Sequence, residues 1–571
     1  MTIFTNGTFS TKLNQVDHEI ELYLDRSAGE SDSDIYKYPI NPNSIVNLQI
    51  EDTLADWVVR GTLTFLYYPE NSTNKDNQIL KQTGQIAGVS NINMPDFKPF
   101  YSFRNDGLDL LRIRIKPKIN SSGGGTVSPL IITNNTHWTL SYLFSIYEAE
   151  DIDLPPGALN AASASVKCLK LYFWDSWYQQ MITNVMQYST GLSSQAEPDA
   201  NGLGVLPTGN AMKEIIELGL SENNSQQNYT PGIAVSNPAL KFNYQPTGTD
   251  KEWDSGAAKI FYTAPADATV YDSLMYVYKR HISNETLSFA PAVSPPRGGA
   301  VGTSINDFSI LLKERGPTET DVGYLALKPV SYFFQNAGKE ASTPGQYQIE
   351  HFFLQSYSDT NSTPKTFKAP ISETKSDTVD LKTPKYSIIT NYRFVDIAAA
   401  TNSTMYINTP VHSFDFKQRM YNVEFTNNSV KAAQNFIEQK YIKQLYKSNS
   451  SALDKLSLIQ NYKDKVSKNT KPVFSLYGED PIIRQHAGLH RLLYIGLFHN
   501  TAINFRTLGL TSREAGRFIA IDKTQGSDNG DFDDKFFGQW FIINIKHIIE
   551  SEMYYNDITA VKIHRFQELT F

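Results

Sequence analysis

Two histidines, His486 and His490, stand four residues apart in the phrase HAGLH. On a helix that spacing puts both imidazoles on one face, where they could share a metal ion. A zincin needs Glu directly after the first histidine. Ala487 stands there instead, and Gly488 weakens the helix, so the pair reads as structural. Asp267, Asp272 and His281 are a second acid/base candidate. They fall along one predicted helix, and an acidic residue near a helix N-terminus is favoured by the dipole alone. Asp528, Asp531, Asp533 and Asp534 crowd one loop, 523–534, and oxygen-rich loops can hold Ca2+. The EF-hand order is absent, because the glycine and closing Glu are misplaced. A solvated acidic loop is the simpler reading, with Ca2+ left open.

Gly123–Gly125 and Gly298–Gly299 lack the Gly-Lys-Ser/Thr of a phosphate loop and its strand–loop–helix setting. There is no Gly-x-Ser-x-Gly elbow. Cys168, the single cysteine, lies in the largely apolar run Val166–Leu171 without an identifiable base. It reads as a buried, inert thiol and excludes both an intrachain disulfide framework and a cysteine zinc site. The expectation is a protein that is not an enzyme, with no catalytic, cofactor-binding or metal residues and no cofactor.

Composition agrees. The chain has 571 residues, too many for one core, so three or four domains are expected. Its 32 Tyr and 32 Phe favour strands over helices. Charged residues make up only 19%, and that suits a surface buried in an assembly. A net charge of −7 argues against a general nucleic-acid binder. It leaves room for a lumen that nucleic acid merely passes through. Met1–Phe9 has no basic or apolar leader pattern, and the longest apolar run, Leu492–Phe498, is too short to span a bilayer. A soluble protein made in a cytoplasm is expected.

The elements that would carry these residues read most clearly at the end of the chain. RFIAID (Arg517–Asp522), GQWFIINIKH (Gly538–His547) and a strand from Ile558 to Phe566 alternate with period two. Phe541, Ile543 and Ile545 share one face and Trp540, Ile542, Asn544 and Lys546 the other, so the sheet is covered on both sides near Trp540. SEMYYND (Ser551–Asp557) reads as a turn. The result is an antiparallel meander. At the other end, His18–Leu24, Ile45–Ile50, Gly61–Tyr68, Arg112–Pro117 and His137–Glu150 read as strands. Arg112, Arg114 and Lys116 give one of them a basic outer face. A strand to Trp174 then a helix from Asp175, a helix over 210–220 with Thr208 as its cap, and a helix over 267–283 follow. Phe308–Lys313 and Tyr324–Pro329 read as short strands. Tyr347–Tyr357 restarts the β pattern. Two amphipathic helices within about 428–469 look like an insertion.

The ordered set of a Gly-Gln-Trp strand ending in Lys-His, a Tyr-Tyr-Asn-Asp turn and the ITAVKI strand resembles the closing segment of tail hub proteins. These belong to contractile-tailed bacteriophages and related injection machines. SIVNLQIEDTLADWVVRGTLTF, FRNDGLDLLRIRI and LFSIYEAEDIDLP add to the resemblance. It implies a mainly β fold with α+β parts: two tail-tube-like β-barrel or sandwich domains, at 1–194 and 347–571, flank a mixed α+β domain at 195–346. The helical insertion then belongs to the C-terminal domain. The resemblance further implies a structural virion protein of the tail or baseplate, assembled in the host cytoplasm. Its homotrimer joins the hexameric tail tube to a trimeric spike and meets other baseplate proteins. DNA or tape-measure protein passes through its channel without specific binding during genome ejection. The rival expectation is a receptor- or glycan-binding tail protein. A tail-associated peptidase or muralytic enzyme lacks its catalytic constellation.

Overall fold

The computed structural model describes residues 8–14, 16–25, 37–40, 42–67, 109–117, 139–152, 167–199, 202–220, 256–284, 286–289, 303–306, 309–315, 323–329, 333, 350–354, 388–395, 410–415, 420–425, 473–475, 502–522, 538–550 and 553–561. Among them the protein is mainly β with α+β parts. The expected helical insertion, the HAGLH histidines, the acidic loop 523–534 and both glycine runs lie outside these residues.

The chain opens with β1 (Thr8–Leu13), β2 (Val16–Asp25), β3 (Lys37–Pro39), β4 (Ile45–Thr53) and β5 (Arg60–Tyr67). Then come β6 (Leu110–Pro117), β7 (Leu140–Ile152) and β8 (Lys167–Asp175). They join antiparallel in the order β1-β2-β6-β7-β8-β5-β4, with β3 also on β2. Alternation explains the core: Ile20, Leu22, Ile113, Ile115, Leu63, Phe65, Leu171 and Phe173 all turn inward and are buried. The basic outer face expected on β6 is only partly a solvent face. Arg112 is buried and donates to Ser141 Oγ at 2.9 Å, while Arg114 pairs with Glu21 at 2.9 Å. β6 lies inside the sheet between β2 and β7, so cross-strand side chains cover and neutralise it.

Three helices follow: α1 (Ser176–Thr183), α2 (Thr208–Leu220) and α3 (Val270–Tyr278). Asp175 ends β8 and caps α1, accepting from Trp177 N at 2.9 Å, so the expected strand-to-helix switch at this residue is realised. α3 is shorter than the expected 267–283. Thr269 and Asp272 form a reciprocal capping box that starts it at Val270, and His281 lies beyond its end. Apolar stripes of the three helices meet in one core through Trp177, Met181, Met212, Ile215, Val270 and Leu274. Short strands β9 (Glu197–Pro198), β10 (Gly204–Pro207) and β11 (Lys259–Ile260) form a small sheet beside them. The pair β12 (Thr286–Phe289) and β13 (Thr303–Asn306) leads to the ribbon β14 (Ser309–Glu314) and β15 (Tyr324–Pro329). This ribbon is apolar on both faces. Leu311, Leu325 and Leu327 enter the helical core, while Ile310, Leu312 and Ala326 enter the core of the last third. Period-two geometry thus makes a two-stranded wedge that binds two cores at once.

The last third contains β16 (Glu350–Leu354), β17 (Ile388–Ile389), β18 (Asn391–Val395), β19 (Pro410–Asp415), β20 (Met420–Phe425) and β21 (Val473–Ser475). It ends with β22 (Ala502–Leu508), β23 (Phe518–Asp522), β24 (Gly538–Glu550) and β25 (Met553–Val561). β25 runs along one edge of β24. The other edge is divided: Gly538–Phe541 pairs with β23, and Asn544–Glu550 pairs with β4 from the start of the chain. One strand therefore fuses both ends of the polypeptide into a single sheet of 15 strands.

The fork is clean in its backbone hydrogen bonds. The pairing of β24 with β25 slips between Ile542 and Asn544. There Ile543 O accepts Leu54 N at 2.9 Å, while Ile542 exchanges bonds with Gly516 N and Arg517 O at 2.9 Å each. Gly516, at φ +86°, supplies a left-handed conformation that a side chain would strain. The slip also corrects the expected alternation: Ile545 falls in phase with Ile542 and not with Phe541, and Ile543, only partly buried, packs against the same core. The expected turn over Ser551–Asp557 is shorter in the structure. Glu550 pairs with Met553, and Tyr554, Asn556 and Asp557 belong to β25.

Trp540 and Phe541 are both fully buried at the start of β24, as the two-sided cover predicted. Trp540→Ala should lower stability by about 3–5 kcal/mol, measured by chemical denaturation. A loss below about 1 kcal/mol would be the response of a surface site.

Candidate assembly interface

Behind any surface this protein offers lies a buried polar seam that holds its thirds at fixed angles. It begins with Asn14, at the tip of the β1–β2 hairpin in a left-handed conformation (φ 52°). Its carboxamide donates to Tyr554 O at 2.7 Å and accepts from Tyr554 N at 3.0 Å, across 540 residues of sequence. Asn is the side chain that tolerates such a φ and also imitates a peptide group. It acts as a one-residue strand that closes the first third against the last hairpin.

Tyr554 is fully buried, and Gly509 makes room for it: a Cβ on Gly509 would sit 2.5 Å from the tyrosine ring. His547 Nδ1 accepts from Tyr554 OH at 2.6 Å and from Asn556 Nδ2 at 2.9 Å. Two donors on Nδ1 leave the proton on Nε2, the neutral tautomer. Burial, with Arg315 and Arg513 nearby, holds His547 down at about 3. Asn556 Oδ1 accepts from Leu510 N at 2.7 Å and from Arg513 at 3.0 Å. Arg513, with a side chain 2% exposed, clamps Glu350 through Nε at 3.1 Å and a terminal nitrogen at 2.7 Å. Arg315, just past β14, donates to Arg513 O at 2.9 Å and pairs with Glu514 at 3.1 Å. Beside it, burial first and Glu514 second push Asp52 up to about 6. The seam therefore draws residues from β4, the β14 end, β16, the 509–517 loop, β24, β25 and the first hairpin.

Two apolar features lie on the surface. Asn391 to Phe394 of β18 are all exposed, with Tyr392 at 52% and Phe394 at 36%. Among the described strands β18 pairs only with β22. The other feature is an aromatic ladder. Tyr147, 42% exposed, stacks on Trp174 with centroids 4.0 Å apart, and edge-to-face contacts continue through Tyr178 to Tyr271. The ladder runs from the outer face of β7 and β8 onto α1 and α3, tying the first β third to the helices.

The residues singled out in the sequence for acid/base work do not converge. Asp267 is exposed, Asp272 is committed to the α3 capping box, and His281 is buried between Thr208 Oγ1 at 2.9 Å and Ser309 Oγ at 3.1 Å. Thr208 therefore opens α2 as its first residue and spends its hydroxyl on His281. Cys168 is buried in β8, and burial pushes its thiol up. Among the described residues no three His, Cys, Asp or Glu side chains group as a metal site, and no helix is long and apolar enough to cross a membrane. Sequence reading missed the seam. Its one signal was the polar run TSREAGR, Thr511–Arg517, between two apolar strands; nothing local marks Asn14.

No protein-family profile and no curated protein matches the chain. Among solved structures it is similar to a tail protein from Neisseria meningitidis MC58, at 7% identity and a TM-score of 0.38, covering 95% of this chain and 96% of that one. The 43 kDa tail protein of prophage MuSo2 from Shewanella oneidensis gives the same figures: 7% identity, TM-score 0.38, and 95% and 96% covered. A prophage tail protein from Listeria monocytogenes EGD-e follows at 6% identity and a TM-score of 0.33, with 95% of each chain covered. Its similar structures thus include phage tail proteins, and also a type VI secretion component of E. coli. At such identities and TM-scores, function has to be argued from this chain's own residues.

The seam makes two predictions. Asn14→Gly keeps the backbone but loses the bonds to Tyr554, and should cost about 1–2 kcal/mol in chemical denaturation. Asn14→Ala adds left-handed strain of about 1–2 kcal/mol more. The second prediction concerns pH. His547 falls from an ordinary 6.5 to about 3 in the fold, so its contribution is intact above 6.5 and drains away as pH falls toward 3. Asp52 runs the other way: raised from 3.8 to about 6, it contributes below 3.8, and that contribution is lost as pH rises through 6. Asp52→Asn should therefore gain stability relative to wild type on going from acid to alkaline pH, read as denaturation midpoints. A constant difference across the series would remove Asp52 from the seam's titration.

Proposed function

We propose that this chain is a structural subunit of a phage-type tail or baseplate, the central hub between tail tube and spike. The observation that carries the reading is the fork at β24. One strand fuses two β-rich thirds into a single rigid sheet, while the β14–β15 wedge fixes the helical third against it. A scaffold of this kind transmits force and holds surfaces at set angles. Catalysis would call for a cleft with converging polar groups, and Asp267, Asp272 and His281 do not converge on one. The resemblance of the sequence to tail hub chains supplies the identity of the assembly.

In this reading the thirds are 1–194, 195–346 and 347–571, with the helical insertion at about 428–469 on the outside. Three copies form a ring. Two tube-like domains per chain then present six similar units to a hexameric tube and threefold symmetry to the spike. Exposed edges such as β18 are completed by neighbouring subunits, which removes their aggregation hazard. The trimer carries 3 × (−7) = −21 formal charges, so DNA or tape-measure protein would slide through its channel. The subunit is placed in the virion tail, with tube, spike and other baseplate proteins as partners.

Native mass measurement and negative-stain microscopy test this together, on purified protein and on whole particles. The expected result is a ring of three. A stable monomer that stays monomeric beside tube and spike, or a location at fibre tips, would transfer the assignment to a receptor-binding tail protein. Tyr392→Asp should weaken self-association at least tenfold while leaving the denaturation midpoint of the subunit unchanged, because the substitution places a charge on an exposed edge.

A further inference from the structure

The Lys313–Asp175 contact joins β14 to the β8–α1 junction across 138 residues of sequence. Both side chains are withdrawn from water, at 3% and 0% exposure. The Lys313 amine lies 4.4 Å from the centroid of Trp177 and 5.8 Å from that of Tyr142. Leu311, Leu325 and Leu327 of the same ribbon belong to the apolar core around Trp177. The two oxygens of Asp175 have different surroundings. Oδ1 accepts Trp177 N at 2.9 Å, and Oδ2 meets the amine.

We propose that Lys313 Nζ and Asp175 Cγ condense into an intramolecular isopeptide bond. The step balances without a co-reactant. The amine nitrogen attacks Cγ, the Cγ–Oδ2 bond breaks, and Oδ2 leaves as water with two protons that began on the lysine ammonium. Oδ1 stays as the amide oxygen. It is already held by the Trp177 N–H, a fixed donor placed where negative charge develops. The fold supplies the effective concentration by holding amine and carboxyl in contact, and the aromatic cover keeps out the water that would reverse the step. Two buried charges, costly to keep out of water, become one neutral amide. A second carboxyl, Asp52, lies within the electrostatic reach of Lys313; burial first and Glu514 second raise it to about 6, while Arg315 and then Lys313 act to lower it. The product would staple the first β third to the β14–β15 wedge. This inference stands apart from the hub reading, since neither the ring nor the partners enter it.

Intact mass spectrometry of the denatured full-length protein tests it first. The expected mass is lower than the sequence mass by one water. Trypsin should then fail to cut after Lys313 and should release a branched peptide containing both Lys313 and Asp175. Lys313→Arg keeps the charge but not the nucleophile, and should restore the full sequence mass. Asp175→Asn should lose ammonia in place of water. Wild-type protein at its full sequence mass would overturn the proposal and leave a buried ion pair. A water loss mapped to a linear peptide, as in a succinimide at Asp175, would overturn it equally. The wild-type measurements decide the matter even where a variant fails to fold.

Discussion

The constraint on which the structure depends is that β24 has two edges and three partners. A strand offers one row of hydrogen-bonding groups on each side, and buried groups must all be satisfied. β25 takes one side from Phe541 to Glu550, so β23 and β4 must divide the other. The division needs a slip in register, two loop segments that arrive at Ile542 and Ile543, and a glycine with positive φ at 516. Once these are present, the first and last thirds of the chain cannot rotate independently. The sheet is continuous, and a change of angle would break hydrogen bonds on both branches.

The polar seam follows from the fork. Where the two branches of the sheet diverge, side chains between them lose both water and regular partners. Here the space is filled by Arg513, Glu350, Asn556, His547 and Tyr554, each satisfied by the next. Such a network offers little net stability over a packed apolar core, yet removing one member leaves a buried charge or donor unpaired. It also gives the junction its opposed titrations: His547 loses stability toward acid, and Asp52 toward alkali. The β14–β15 ribbon completes the arrangement by placing Arg315 in the seam and Lys313 against Asp175.

The surface has a different character. Tyr392 and Phe394 on β18, and Tyr147 at the end of the aromatic ladder, are large and exposed on elements that are themselves firmly held. Rigid aromatic groups contribute contact area at small entropic cost, which suits binding between preformed surfaces. The interior therefore limits motion, and the exterior offers contact.

By itself, the sequence determined the local structure wherever a repeat of two or 3.6 residues ran uninterrupted. The two-sided cover at Trp540, the strand-to-helix switch at Asp175, the α2 helix and the short strands at 308–313 and 324–329 were all legible, because burial of one face sets the period. Interruptions were not. The bulge at Ile543 reverses no propensity, so alternation was read straight through it. Tyr554 and Asn556 looked like turn residues because Tyr-Tyr-Asn-Asp is turn-like in composition; only packing against His547 and Asn14 makes them strand. Arg112 read as solvent-facing because position on a strand does not disclose what covers it. Tertiary structure alone decided that β24 is shared, that Asn14 meets Tyr554 across nearly the whole chain, and that Lys313 lies on Asp175. Such contacts join residues more than a hundred positions apart and leave no periodic trace, since each depends on where whole branches of the sheet come to rest.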